Sequence, residues 1–227
     1  MLIECGPDHD KRFLNFTLPV YFDPASPTLS KMFFAAKGMR KNHRIGVLVS
    51  GGIDSALLYF LLLKENHLLG NPYTITPYTI LRKEGSRNYA LKVINHINTI
   101  VGLPQQELSI VGNNTLPEIQ QVDSGVMEIQ LSNDFVYVGV IESREEHSIG
   151  WYRHNFQESE RIKYPLRNLQ KSHVIDLIYQ FNIESVLPLT HSCAIDEINL
   201  CGYCNGCHER VWGFTEIGKI DPRSIVQ

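Results

Sequence analysis

The stretch VLVSGGIDSALLYF, residues 47–60, restricts the fold of this chain more than any other. A β-branched apolar run ends at Ser50-Gly51-Gly52. After Ile53 come Asp54 and Ser55, and then a dense apolar segment. A short apolar run bounded by turn residues reads as a strand buried on both faces. The segment from Asp54 has the capping residues and length of a helix, and it is apolar almost all round, so it should be buried too. A buried strand passing through glycines into a buried helix is a unit of a parallel α/β sheet. It also forms an anion cradle. Glycines let a ligand approach the backbone, N–H groups at a turn into a helix attract negative charge, and Ser50 and Ser55 add hydroxyls. Such a cradle lies at the carboxyl end of its strand, where open α/β sheets bind ligands. The competing explanation is a plain strand–helix turn with two convenient glycines. Neither GxxxxGKS/T nor GxGxxG occurs there.

The rest of the chain continues the alternation. PYTITPYTI, QELSIVG and DFVYVGVIES read as further strands. SRNYALKVINHINTIVG reads as a helix capped by Ser86 with Tyr89, Val93, Ile97 and Ile100 along one side. PEIQQVDSGVMEIQLSN reads as a helix interrupted at Gly125, and NLQKSHVIDLIYQFN as another helix. The expected fold is therefore α/β: a doubly wound parallel sheet with helices on both faces, plus a small C-terminal metal-binding segment. We divide the chain into an N-terminal extension over 1–43, read as a hairpin or loop on the core, an α/β domain over 44–190 that carries the anion cradle, and a cysteine segment over 191–227.

Composition excludes several classes. With 21 Lys+Arg against 24 Asp+Glu and a net charge of −3, there is no basic excess for gripping nucleic acid. The longest apolar stretch, Ala56–Leu63, is far short of the ~20 residues needed to cross a bilayer. Charge breaks up the opening MLIECGPDHDKRF before any secretory apolar region forms. A cytoplasmic location is expected, where thiols stay reduced. Buried helices without long polar faces leave room for a homodimer or a protein partner.

Four of the five cysteines fall in HSCAIDEINLCGYCNGCHER, with spacing Cys193-x7-Cys201-x2-Cys204-x2-Cys207. Four thiolates so placed suit tetrahedral Zn²⁺ in a closed, structural site; an iron–sulfur cluster held by the same four cysteines is the alternative. His191 and His208 could replace a ligand, but four cysteines already complete the shell. Cys5 reads as an isolated thiol.

Ser50-Gly51-Gly52-Ile53-Asp54-Ser55 resembles the SGGxDS loop of the PP-loop ATP pyrophosphatases, whose fold is that of the adenine nucleotide alpha hydrolases. The loop together with the terminal cysteines, Glu209-Arg210 and Gly213-Phe214 resembles the 7-cyano-7-deazaguanine synthases within that group. YPLRNLQKSHVIDLIYQFNI is similar to a segment preceding the family's cysteines, with Lys171 on its lysine and His173 where it has Glu; Thr190 and Cys193 match its Thr-x-x-Cys. The resemblance implies that residues 50–55 bind the pyrophosphate end of ATP. It places Asp54 by the metal–phosphate cluster and Lys171 by the phosphates, with Mg²⁺ and Zn²⁺ as companions. It further implies a ligase that adenylates 7-carboxy-7-deazaguanine and adds ammonia to give an amide or nitrile. Arg82 and Arg87 are further candidates for neutralising phosphate, although a charged loop is ordinarily just solvated.

The chain also departs from the family. ESREEHSIGWYRHNF stands where the family has Gly-Tyr-Pro-Asp-Cys-Arg, and TILRKEGSR where it has Tyr-Gly-Gln. The acceptor could thus be a different carboxylate, with Trp151, Tyr152 and Arg153 either stacking on a base or simply packing. Two alternatives stand beside the ligase: another PP-loop enzyme that modifies tRNA, and a nucleotide-binding subunit without catalysis.

Overall fold

The computed structural model describes residues 2–18, 43–80, 86–113, 115–116, 118–143 and 159–224. Arg82, Trp151, Tyr152 and Arg153 lie outside them. Two short strands, β1 (Leu2–Cys5) and β2 (Arg12–Asn15), pair antiparallel as a hairpin. The main sheet has five strands: β3 (His43–Leu48), β4 (Tyr73–Ile80), β5 (Ser109–Val111), β6 (Phe135–Val138) and β7 (Ile162–Lys163), in the order β5-β4-β3-β6-β7. All its pairings are parallel. The helices are α1 (Ile53–Leu68), α2 (Ser86–Val101), α3 (Glu118–Ser132), α4 (Lys171–Gln180) and α5 (Asn205–Glu216), with a 3₁₀ turn over Glu184–Leu189.

Strand periodicity separates the two sides. Ile45, Val47, Ile75 and Tyr137 join the large core with α1, α2 and α4. Leu48, Ile80, Val136 and Val138 face Val126 and Ile129 of α3 in a second core. The expected sheet with helices on both faces is the one observed. Gly46 shows how close α3 comes, because a Cβ there would lie 2.2 Å from Ile129 Cγ2.

Two expectations need correction. The helix over 118–132 is not broken at Gly125. That glycine is a packing requirement, since a Cβ on it would sit 2.8 Å from Ile80 Cγ1. On α2 the buried stripe is Ala90, Val93, Ile94 and Ile97, while Ile100 is 39% exposed, because the stripe drifts round the helix as 3.6-residue turns accumulate.

The hairpin is packed against the α1/α4 side. Cys5, Leu14, Phe16 and Leu18 are buried in the large core, and burial pushes the Cys5 thiol up to about 12. Gly6 N donates to Asp176 Oδ2 of α4 at 2.8 Å. His173 Nε2 lies 2.8 Å from the Asp10 carbonyl, while its Nδ1 accepts from Gln170 N at 3.2 Å. With Nδ1 an acceptor, the proton sits on Nε2 and is donated to Asp10. His173 thus closes the start of α4 and holds the hairpin to it.

Candidate functional site

The strand order reverses at β3. Its two neighbours are β4 on one side and β6 on the other, and the chain leaves their carboxyl ends in different directions. A crevice at such a switch point is the standard ligand position in open parallel sheets. The Ser50–Ser55 loop follows β3, and the Gly139–Ser143 segment follows β6. Gly139 lets them meet: a Cβ there would lie 3.1 Å from Ser55 N and 3.2 Å from Asp54 O.

Within the loop, Gly51 has φ +84°, and an added Cβ would sit 2.7 Å from both Ala90 N and Tyr89 Cβ. Only glycine permits this backbone against the first turns of α2. Gly52 is the N-cap of α1, and no side chain caps that end. The serines instead brace the loop. Ser55 Oγ accepts from Ser50 N at 3.1 Å, donates to Gly52 O at 3.1 Å and lies 3.1 Å from Ser50 Oγ. An uncapped helix start beside an exposed serine and glycines offers its N–H groups to an anion. Ile53 faces inward, fully buried, and anchors the loop to the core.

Asp54, in the first turn of α1, meets Lys171, the first residue of α4. The ammonium lies 2.7 Å from Asp54 Oδ1 and 2.5 Å from Oδ2. Glu209 of α5 also approaches the ammonium, at 3.4 Å, and accepts from Ser143 Oγ at 3.3 Å. Lys171 is 4% exposed. Burial works against its charge, but Asp54 and Glu209 together outweigh burial and hold its pKa above the ordinary lysine value. Arg87 is exposed at the start of α2.

Cys193, Cys201, Cys204 and Cys207 come together, with all four sulfurs within 4.8 Å of one another. The Cys201–Cys207 and Cys193–Cys204 sulfur pairs are each 3.9 Å apart. A tetrahedral Zn²⁺ with ~2.3 Å bonds has sulfur–sulfur edges of roughly 3.8 Å, so the donor set fits such an ion. Asp196 N and Cys204 N each donate to a sulfur, Cys193 and Cys201 respectively, at 3.3 Å. At Cys193, burial opposes ionisation, but the backbone donors prevail and bring the pKa down to about 7.

The cysteine segment is anchored directly to the loop. His191 N donates to Gly51 O at 2.9 Å, and the His191 ring stacks on Tyr89 at 4.3 Å. Arg223 Nη1 contacts His191 Nδ1 at 2.8 Å and Thr190 O at 2.9 Å. Arg210, fully buried, binds Asp221 through Nε at 2.6 Å and Nη2 at 2.8 Å, and donates to Thr190 Oγ1 at 2.8 Å. Gly213 lets α5 lie on α4, as a Cβ there would be 2.7 Å from Lys171 Cγ. His191 is thus a strut between the cysteine segment and the loop. Sequence reasoning assigned no role to Glu209, Ser143 or Arg223. Glu209 and Arg210 were marked by their place after the last cysteine; Ser143 and Arg223 carried no signal.

Among known proteins, the family model for the queuosine biosynthesis protein QueC matches residues 118–218. A 7-cyano-7-deazaguanine synthase from Nautilia profundicola is 24% identical over 221 residues, covering 77% of this chain and 95% of that protein. Those from Aliarcobacter butzleri and Leptospira biflexa are 38% and 40% identical over 58 and 67 residues. In these two the aligned stretch spans only 25% and 26% of the relative's own length. Among solved structures, NMN synthetase from Francisella tularensis superposes with a TM-score of 0.46 at 14% identity, covering 80% of each chain. The U34-tRNA thiolase NcsA from Methanococcus maripaludis gives 0.42 at 15% identity, covering 80% of this chain and 74% of that one. The resemblance to 7-cyano-7-deazaguanine synthases read from the sequence is borne out by the family model and the curated relatives. No helix among the described residues is long and apolar enough to cross a membrane.

Proposed function

We propose that this chain is an ATP-dependent ligase acting on the carboxylate of 7-carboxy-7-deazaguanine or a closely related deazapurine. The observation that carries this reading is the meeting of the uncapped α1 start with the Asp54–Lys171 pair at the sheet's switch point. That arrangement suits a nucleotide's phosphate tail, and the names of the relatives supply the acceptor.

A carboxylate does not react with ammonia at neutral pH, because its charge shields the carbon and oxide is a poor leaving group. In the proposed reaction a carboxylate oxygen attacks the α-phosphorus of ATP, and the bond to pyrophosphate breaks. Ammonia then adds to the acyl carbon, loses a proton, and AMP departs with the bonding electrons, leaving the amide. A second adenylation on the amide oxygen, with loss of AMP and protons from nitrogen, gives the nitrile. The protein's contribution is positioning and charge neutralisation. The 50–55 loop would hold the pyrophosphate end and Lys171 would offset its charge. Mg²⁺, if held by Asp54, would supply further neutralisation of the phosphate oxygens. Zn²⁺ on Cys193, Cys201, Cys204 and Cys207 would be structural, because four thiolates leave no open position.

The test is incubation with ATP, Mg²⁺, ammonium and 7-carboxy-7-deazaguanine. Pyrophosphate release that requires the deazapurine, with the mass of amide or nitrile appearing, is expected. Release only with another carboxylate would move the acceptor assignment, and no release with any acceptor would defeat the ligase reading. Metal analysis should give one zinc per chain, lost in Cys204→Ala.

A further inference from the structure

Lys171 is a single cation between two carboxylates, and the three groups are 5%, 20% and 15% exposed at their side chains for Lys171, Asp54 and Glu209. Their sum is one negative charge, set beside a loop whose backbone suits an anion. A polyphosphate arriving there meets the wrong sign unless a carboxylate turns to a cation that comes with it.

The two carboxylates are not equally free to turn. Asp54 belongs to the first turn of α1, beside the cradle, and its only described side-chain partner is Lys171. Glu209 is steadied by Ser143 Oγ. It also projects from a helix whose start carries two of the clustered thiols: Cys204 is the N-cap of α5 and Cys207 lies in its first turn. The same helix is fixed through the next residue, Arg210, to Asp221 and Thr190. One partner of Lys171 thus belongs to the helix that follows the cradle and the other to the cysteine segment.

Resting on the nucleotide reading above, we propose that Glu209 is a positioning residue that retains Lys171 when Asp54 turns to the metal-bearing phosphates. Without Glu209, Asp54 would be the only anion among the described residues facing the buried ammonium. Turning it away would leave Lys171 unpaired, which is costly for a group so little exposed. With Glu209 present, Lys171 closes the gap to its second partner and stays aimed at the phosphate end. The cysteine segment thereby shapes the phosphate site through one carboxylate placed two residues beyond Cys207.

The proposal predicts a sign that simple electrostatics does not. If Glu209 acted only through its charge, its neutralisation would strengthen the binding of a polyphosphate. The hand-over predicts weakening, confined to the magnesium-bound nucleotide. Titration calorimetry on the full, zinc-loaded chain, with ATP in excess Mg²⁺ and again in magnesium-free buffer without chelator, separates the two. Glu209→Gln should weaken MgATP on the order of tenfold, the scale of one lost charged hydrogen-bond pairing, while magnesium-free ATP binds no more weakly than to the parent protein. Glu209→Asp should recover part of the loss, and zinc content should remain that of the parent. Should Glu209→Gln not fold, Ser143→Ala should shift MgATP binding in the same direction by a smaller factor. Unchanged or tighter MgATP binding in either variant overturns the hand-over, as does an equal loss with and without Mg²⁺. A parent protein that binds no nucleotide would instead sink the ligase reading beneath it.

Discussion

Replacing Arg210 by Met tests how the cysteine segment is fastened to the rest of the fold. Arg210 is 0% exposed and Asp221 is 6% exposed. The guanidinium makes two bonds to the Asp221 carboxylate at 2.6 and 2.8 Å, one to Thr190 Oγ1 at 2.8 Å and one to Leu187 O at 3.2 Å. Methionine fills much of the volume but leaves Asp221 buried, with backbone N–H of Arg223 at 3.0 Å as a remaining donor. Breaking a buried pair on one side costs about 3–5 kcal/mol, mostly through the stranded charge. For a domain of this size each kcal/mol shifts the thermal midpoint by roughly 2–4 °C, so a fall of about 6–20 °C is expected. Urea unfolding of Arg210→Met, Asp221→Asn and the double variant closes the cycle. If the stranded charge is the cause, adding Asp221→Asn to Arg210→Met should recover a substantial part of the loss. A double variant whose loss is the sum of the two single losses would refute that account, because independent sites add and coupled ones do not.

Gly51→Ala should destabilise far more than Gly70→Ala. Both glycines are left-handed, at φ +84° and +82°, but only Gly51 would drive a Cβ into the α2 backbone, whereas nothing lies within 4 Å at Gly70. Gly70→Ala should cost about 1–2 kcal/mol, the left-handed penalty alone, and equal losses in urea unfolding would show that the close approach is not real. For His173, burial lowers the pKa most, while Asp10 and Asp176 raise it and Arg12 lowers it further. The unfolded chain therefore binds the proton more readily, and the neutral ring's contribution is complete above the unfolded value of about 6.5. It is lost as pH falls below that, by at most ~1.4 kcal/mol per pH unit until the folded value is reached. His173→Gln, which keeps a donor for the Asp10 carbonyl, should flatten the decline in urea-unfolding stability between pH 7 and 5, and an unaltered slope would count against this role. Some slope should persist, because burial also lowers the pKa of His191.

The sheet and α1 were readable from local pattern because their signal is local. The apolar runs at Ile45–Val49 and Ala56–Leu63 need no knowledge of their neighbours to be placed inside. Gly125 and Ile100 were misread for the opposite reason. A glycine looks like a helix breaker until the Ile80 side chain beneath it is known, and an isoleucine looks buried until the extent of the facing layer is known. Among the described residues the two-residue β7 pairs only with β6, and its pattern is too short to distinguish it from a loop.

The candidate site divides along the same line. The 50–55 loop and the four cysteines are each contiguous enough to be recognised by spacing, and both consist of residue types whose chemistry is narrow. The relation between them is not contiguous. Lys171 is 117 positions from Asp54, and Ser143 is 66 from Glu209. Only the fold brings α1, α4 and α5 to one point at the end of β3. The cysteine segment follows the pattern of a separate appendage in sequence, yet His191 bonds to the Gly51 carbonyl and Glu209 reaches Lys171. A metal site so attached is placed to do more than stabilise its own loop: whatever orders Cys204 and Cys207 also sets where α5 begins, and α5 carries the carboxylate that faces the buried lysine. Chelation should therefore disturb nucleotide binding before it unfolds the sheet, because the sheet's own cores hold none of the four thiols.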